Sequence, residues 1–155
     1  MDRDFIAVRI AILTVSDTRT ESDDVSGKTL KDRLLAAGHE LADKKIVTDD
    51  IYQIITTGGT GLTGRDGTPE AVKVLFDKEI TGFGELFRQI SYDIIRTSTV
   101  QSRAIAGVAN GTFIFCLPGS SGACKNAWDD ILQYQLDVRH RPCNFVELIP
   151  RLREK

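Results

Sequence analysis

The run V-R-I-A-I-L-T-V at residues 8–15 narrows the fold more than any other feature of the chain. A strand with one wet face alternates apolar and polar side chains. One that is apolar almost throughout has to be covered on both faces, as in a sheet with helices above and below it. The run passes into a polar loop, residues 16–24, and then into a stretch with helical spacing. Leu30, Leu34 and Leu35 share one face of a predicted helix over residues 26–37, and Gly38 suits its end. The same alternation of strand and helix continues down the chain, which predicts an α/β layered fold.

A short strand around residues 45–47 leads into Thr48-Asp49-Asp50, and a second apolar stretch, residues 54–57, enters Gly58-Gly59-Thr60-Gly61. Thr68-Pro69-Glu70 opens a helix, with Thr68 as N-cap and the proline at the first helical position, where a missing N–H costs nothing. A further helix covers residues 84–90, with Phe83, Leu86, Phe87 and Ile90 as its apolar side. Asn110-Gly111 between two apolar runs signals a two-residue hairpin, because both residues tolerate positive φ. It adds one antiparallel pair to an otherwise mostly parallel sheet. Pro118-Gly119-Ser120-Ser121-Gly122 then turns the chain into a helix through Trp128, Ile131 and Leu136, and residues 141–145 read as irregular. Trp128, Phe83 and Phe87 read as packing residues.

One spacing resists this scheme. Residues 45–47 and 54–57 both read as strands, yet parallel neighbours need a crossover of roughly a dozen residues or more. Either the two strands are an antiparallel pair, or a helical crossover is missing from the sequence.

With 155 residues, 41% of them hydrophobic, the chain is long enough for one domain over residues 1–155 with its own core. A net charge of −2 argues against a wholly basic, nucleic-acid-binding surface. No apolar run has membrane-spanning length, and the start, Met1-Asp2-Arg3-Asp4, is unlike a basic leader. Cys116, Cys124 and Cys143 are odd in number and form no C-x-x-C, which points to a reducing, cytoplasmic setting with no disulfide framework. Together with His39 and His140 they have poor spacing for zinc, so they read as buried or half-exposed thiols.

The chemistry concentrates where strands end. Glycines after an apolar strand let backbone N–H groups approach an anion. In open α/β sheets the ligand crevice lies beyond the carboxyl ends of the strands. The stretch Thr57-Gly58-Gly59-Thr60-Gly61-Leu62-Thr63-Gly64-Arg65-Asp66 fits phosphate, although it has neither a Walker ending nor a dinucleotide glycine pattern. Asp66 is either a solvated loop carboxylate that helps cap the next helix, or a hard ligand for Mg²⁺ beside phosphates. Arg65 either offsets charge on a transferring phosphoryl group or pairs with a neighbouring acid. Asp49 and Asp50 close a strand, where active-site residues often sit, but on sequence grounds they read as surface acids. Pro118-Gly119-Ser120 repeats the strand-to-helix logic, with phosphate binding or N-capping by Ser120 or Ser121 as its two readings. Ser16-Asp17-Thr18 is a third polar loop at the corresponding place. The polar segment Arg96 to Arg103 suits a ligand phosphate or a subunit contact equally.

The stretch T-T-G-G-T-G-x-T followed by R-D-x-T-P-E, at residues 56–70, resembles the MoaB/MogA family of molybdopterin-binding proteins. Ser16-Asp17-Thr18-Arg19, Gly82-Phe83-Gly84-Glu85, Ser102-Arg103-Ala104, Ala106-Gly107-Val108-Ala109-Asn110, Leu117-Pro118-Gly119-Ser120 and Arg141-Pro142-Cys143-Asn144-Phe145 carry the likeness onward, the last in the manner of the MoaB branch. The resemblance implies a three-layer α/β sandwich around a mostly parallel sheet, assembled as a trimer or hexamer. It implies Mg²⁺-dependent transfer of AMP from ATP to the terminal phosphate of molybdopterin. By motif match Asp66 is the catalytic, metal-associated aspartate, and Asp49 (or Asp50) the acid closing the earlier strand. Ser16, Thr57, Gly58, Gly59, Thr60, Gly61, Arg65, Pro118, Gly119 and Ser120 fall in the ligand loops. The chain departs from the family between Tyr52 and Ile55, where relatives carry a helix. The rival readings are a module that binds pterin or nucleotide without catalysis, and an oligomeric scaffold.

Overall fold

The computed structural model describes residues 3–47 and 58–154. The expected strand at residues 54–57 and the site positions Asp49, Asp50 and Thr57 lie outside the described residues. Strand β1 (Arg9–Val15) leads to helix α1 (Val25–Ala36), and β2 (Glu40–Val47) returns parallel to β1, with Arg9 opposite Glu40 and Val15 opposite Val47. Helix α2 (Thr68–Lys73), the two-residue β3 (Lys78–Glu79) and helix α3 (Thr81–Ile95) follow. A 3-10 segment (Arg96–Gln101) then precedes β4 (Ile105–Ala109) and β5 (Thr112–Cys116). Helix α4 (Ser121–Ala127) continues through a π-helical turn (Trp128–Leu132) into a last turn (Gln133–Gln135). A 3-10 segment, Val146–Arg151, lies near the end of the chain.

Helices pack on both faces of the strands. On one face Ile12 of β1, Ala106 of β4 and Leu117 meet Leu30 and Leu34 of α1, Phe83 and Phe87 of α3, and Cys124, Ala127 and Trp128 of the α4 region. On the other face Val15 and Cys116 meet Val72 of α2, with Ile114 and Phe76 at the margin. This is the layered α/β class that the apolar β1 predicts. Trp128, Phe83 and Phe87 are core residues, as expected. The described strands form one parallel pair, β1–β2, and one antiparallel sheet in the order β3-β4-β5. The predicted hairpin is present: Ala109 faces Thr112 across Asn110 (φ 47°) and Gly111 (φ 74°). Both positive angles fit a type I′ turn, whose twist matches the flanking strands.

Three local expectations change. Thr68 does not cap α2. Gly67 stands at the cap, and Thr68 is the first helical residue, with its hydroxyl fully buried and without a hydrogen-bond partner. Its N–H instead donates to the Gly59 carbonyl at 3.1 Å, tying the helix start to the glycine loop. Leu35 and Leu86 are exposed, and the face α3 buries is Phe83, Gly84, Phe87 and Ser91. A Cβ at Gly84 would stand 2.6 Å from the Ala104 carbonyl oxygen, so close packing on β4 selects small residues over another leucine. β2 begins five residues before the short strand read from the sequence, because its pairing with β1 starts at Glu40 opposite Arg9.

Candidate functional site

Three loops meet beyond the strand ends, and the glycine loop sits between the other two. Gly58 N–H donates to the Leu117 carbonyl at 3.2 Å, and a Cβ on Gly58 would lie 2.3 Å from the Val15 carbonyl oxygen. Its φ of 100° is also one that L side chains rarely adopt. On the other side, Gly119 approaches so closely that a Cβ there would be 3.2 Å from the Gly58 Cα. Between them opens a cleft of about 590 Å³. Ser16, Gly58, Gly59, Thr60, Gly61, Asp66, Pro118, Gly119 and Ser120, all expected from the sequence, line it.

Two of these residues serve their own loops as well. Ser16 Oγ accepts from the Thr18 and Arg19 N–H groups at 3.3 and 3.2 Å. Ser120 Oγ accepts from Ala123 N–H at 3.2 Å, the N-capping reading of that serine. Arg65 is not brought to the cleft. Its side chain is 81% exposed and pairs with Asp17 at 3.2 Å, which is the plainer of its two readings. A three-residue excursion over Leu62-Thr63-Gly64 carries it outward.

Asp66 closes that excursion. Its Oδ2 accepts from the Thr63 N–H at 2.8 Å and the Thr63 hydroxyl at 2.6 Å, and the carboxylate lies over Gly61, where a Cβ would be 2.6 Å from Oδ2. The Thr63 hydroxyl, then the Thr63 and Gly61 N–H groups and the Arg103 charge, outweigh partial burial and hold the carboxyl below the usual aspartate value. Asp66 is therefore ionised at neutral pH while facing the cleft. The carboxylate closes its own loop and does not cap α2, whose start has no side-chain cap, and it also lines the cleft.

Sequence reading missed two arginines. Arg19 lines the cleft; Nη1 donates to Ser26 Oγ at 2.7 Å and Nη2 to the Gly119 carbonyl at 3.2 Å, joining the first loop to the third. Behind it lies Asp24, buried at the N-cap of α1, which accepts from Gly27 N–H at 2.9 Å, Thr14 Oγ1 at 3.0 Å and Lys44 Nζ at 2.7 Å. Burial by itself would raise the Asp24 pKa, but the Lys44, Gly27 and Thr14 hydrogen bonds outweigh it and the carboxyl stays ionised. Arg103 braces the glycine loop from outside, its Nε donating to the Gly61 carbonyl at 2.8 Å. Both arginines sit in the motifs S-D-T-R and S-R-A, which was the available signal.

The far wall of the cleft is mixed. Phe87, Ile94 and Ile95 supply apolar surface, and Ser91, Ser98, Gln101, Ser102 and Asn126 supply hydrogen-bonding groups. The segment at 96–103 thus contributes a wall to the cleft. Among the described lining residues Arg19 is the one cation and Asp66 the one carboxylate. No group of three His, Cys, Asp or Glu side chains is placed to hold a metal among the described residues. Cys116 and Cys124 are buried and their thiols are pushed up to about 12, so they supply no thiolate.

The cleft, lined by the glycine loops and carrying the Asp66 carboxylate and the Arg19 guanidinium, is the candidate ligand site of a layered α/β protein. The family model for the probable molybdopterin binding domain matches residues 11–138, and the chain belongs to that family. It is 52% identical to molybdenum cofactor biosynthesis protein B of Escherichia coli (strain K12), over 158 aligned positions covering 92% of this chain and 93% of that protein. Those positions outnumber the 155 residues of the chain, so the relative has residues where this chain has none. Among solved structures, one of molybdenum cofactor biosynthesis protein B superposes with a TM-score of 0.86 at 40% identity, covering 99% of this chain and all of that one (100%). The tungsten cofactor synthesizing protein MoaB from Pyrococcus furiosus superposes with a TM-score of 0.71 at 36% identity, over 81% of this chain and 91% of the other. No described helix is long and apolar enough to cross a membrane.

Proposed function

We propose that the chain acts in molybdenum cofactor biosynthesis and transfers an adenylyl group from ATP to molybdopterin with Mg²⁺. The observation that carries this reading is that an ionised Asp66 and the Arg19 guanidinium line one cleft between glycine-rich loops. The names of the relatives point to the same pathway.

In this reaction an oxygen of the terminal molybdopterin phosphate attacks the α-phosphorus of ATP. The bond from that phosphorus to the β-phosphate bridging oxygen breaks, and pyrophosphate leaves. Backbone N–H groups at 59–60 and 119–120 would hold phosphate oxygens, and Arg19 offsets their charge. The far wall, with its polar groups interspersed among apolar ones, suits a flat heterocycle. The residues present fit Mg²⁺: that ion keeps several waters and needs only one or two carboxylates beside substrate phosphates, and Asp66 is an ionised, hard oxygen donor facing the cleft. When bound, Mg²⁺ supplies charge neutralisation at the reacting phosphates. Asp66 would hold it, with Asp49 as the second acid on the family resemblance. Positioning and charge stabilisation account for most of the rate.

Self-association as a trimer or hexamer and a cytoplasmic setting go with this reading. Exposed Tyr92 and Val100, which lie outside the cleft lining, and three free cysteines support them. The test is to incubate the purified chain with molybdopterin, ATP and Mg²⁺ and to look for adenylylated molybdopterin. Product that disappears in Asp66→Ala supports the assignment. Ligand binding without product leaves a binding module, and neither binding nor product leaves a scaffold.

A further inference from the structure

We infer that Arg103 is the positioning residue that holds Asp66 at the cleft. It stands between the 3-10 segment Arg96–Gln101 and β4, outside the lining of the cleft, with its side chain about three-quarters buried. Each arm of its guanidinium is committed to the glycine loop or the helix that follows. Nε donates to the Gly61 carbonyl at 2.8 Å, with the Thr60 carbonyl at 3.4 Å; Nη2 donates to the Asp66 carbonyl; and Nη1 pairs with Glu70 of α2.

The two ends of the excursion from Gly61 to Asp66 are thus held by one planar group. Inside the excursion the Asp66 carboxylate accepts from Thr63 and lies against Gly61. The inner bonds fix the side chain relative to its own loop, but they cannot fix the loop relative to the sheet. Arg103, anchored beside β4, does that, and Glu70 keeps the guanidinium plane from rotating. A lysine in its place has the charge but not the fork, so it reaches one carbonyl where arginine reaches several.

This inference rests on the reading of Asp66 as the metal-holding residue. It is tested with Arg103→Ala and Arg103→Lys in the intact chain, by two readouts. The first is steady-state adenylylation with ATP, molybdopterin and Mg²⁺. Arg103→Ala should lower kcat by roughly 10- to 100-fold, since a displacement of about 1 Å costs that much. It should also raise the half-saturating Mg²⁺ concentration, while KM for molybdopterin stays within about two-fold and Arg103→Lys recovers part of the loss. A general loss of fold would move KM and thermal stability together and would not respond to Mg²⁺. The second readout is amide hydrogen exchange at Thr63, which needs no activity. Protection there should fall in Arg103→Ala and recover in part in Arg103→Lys. An unchanged kcat and Mg²⁺ dependence in Arg103→Ala overturns the inference, and so does unchanged Thr63 exchange. A wild-type chain that makes no product defeats the functional reading; the exchange result then decides the inference alone.

Discussion

Asp24 and Asp66 are two aspartates of the same sheet end, both held ionised by hydrogen bonds, and they differ in what surrounds them. Asp24 is enclosed. A helix N-terminus, a threonine hydroxyl and a nearly buried lysine surround it, with the Arg19 guanidinium at 3.8 Å. Asp66 is held from one side only, by Thr63 and Gly61, and its other side is cleft. The first spends its charge on structure, and the second keeps charge available for a ligand. A depressed carboxyl pKa alone does not separate the two roles; the walls around the group do.

The sharpest way to break this contrast is to remove each carboxylate in turn. Asp66→Ala should cost roughly 10²–10³-fold or more in adenylylation, the scale seen when a charge-stabilising group is lost, while molybdopterin binding stays near wild type. Asp24→Ala should act through stability, because it strands Lys44 and Thr14 without their partner. Breaking a buried pair costs about 3–5 kcal/mol, or roughly 6–20 °C in Tm for a domain of this size, measurable by calorimetry. If Asp24→Ala melts like wild type, or Asp66→Ala turns over normally, the division of roles fails.

Acid titration sharpens the same comparison. The Asp24 carboxyl is depressed in the fold, so its contribution is complete above the ordinary value of 3.8 and is lost as pH falls through the lower, folded value. His39 behaves differently at milder pH. Burial against Phe5 and Trp128 lowers its pKa below 6.5, so the native chain holds it neutral and the unfolded chain takes up the proton first. Stability that is full above pH 6.5 therefore declines as pH falls through the folded value of His39. Tm followed from pH 7 to 5 should drop by less than Asp24→Ala costs, and His39→Gln should flatten the slope. Least of all, Lys28→Ala should move Tm by no more than about 1–2 °C, because the Lys28–Asp32 pair is exposed on α1.

Local pattern made much of this architecture legible. The apolar run of β1, the spacing of Leu30 and Leu34 in α1, and Asn110-Gly111 between two apolar runs each appear in the structure where their chemistry put them. Six of the expected ligand-loop glycines and serines, Ser16, Gly58, Gly59, Gly61, Gly119 and Ser120, meet at one cleft, Ser16 just past the end of β1 and Gly119 and Ser120 just past β5. What stayed hidden depends on contacts far along the chain. Lys44 reads as a surface lysine until Asp24, a residue from another loop, claims it. Arg19 and Arg103 reach carbonyls 100 and 42 residues away, at Gly119 and Gly61, and no local period encodes such a reach. Thr68 misled because a threonine before a proline has the look of a cap, while the loop closed by Asp66 already fixes where α2 begins.

Gly58 and Gly119 lie side by side in the lining of the cleft, so close that a Cβ on Gly119 would be 3.2 Å from the Gly58 Cα. No side chain is interposed there that could be trimmed or enlarged, so the gap has the tolerance of a machined joint: it can be sprung open but not adjusted. Tuning for a different ligand must therefore come from the opposite wall, where Ile94, Ile95 and Gln101 can be exchanged without disturbing the seam between the loops.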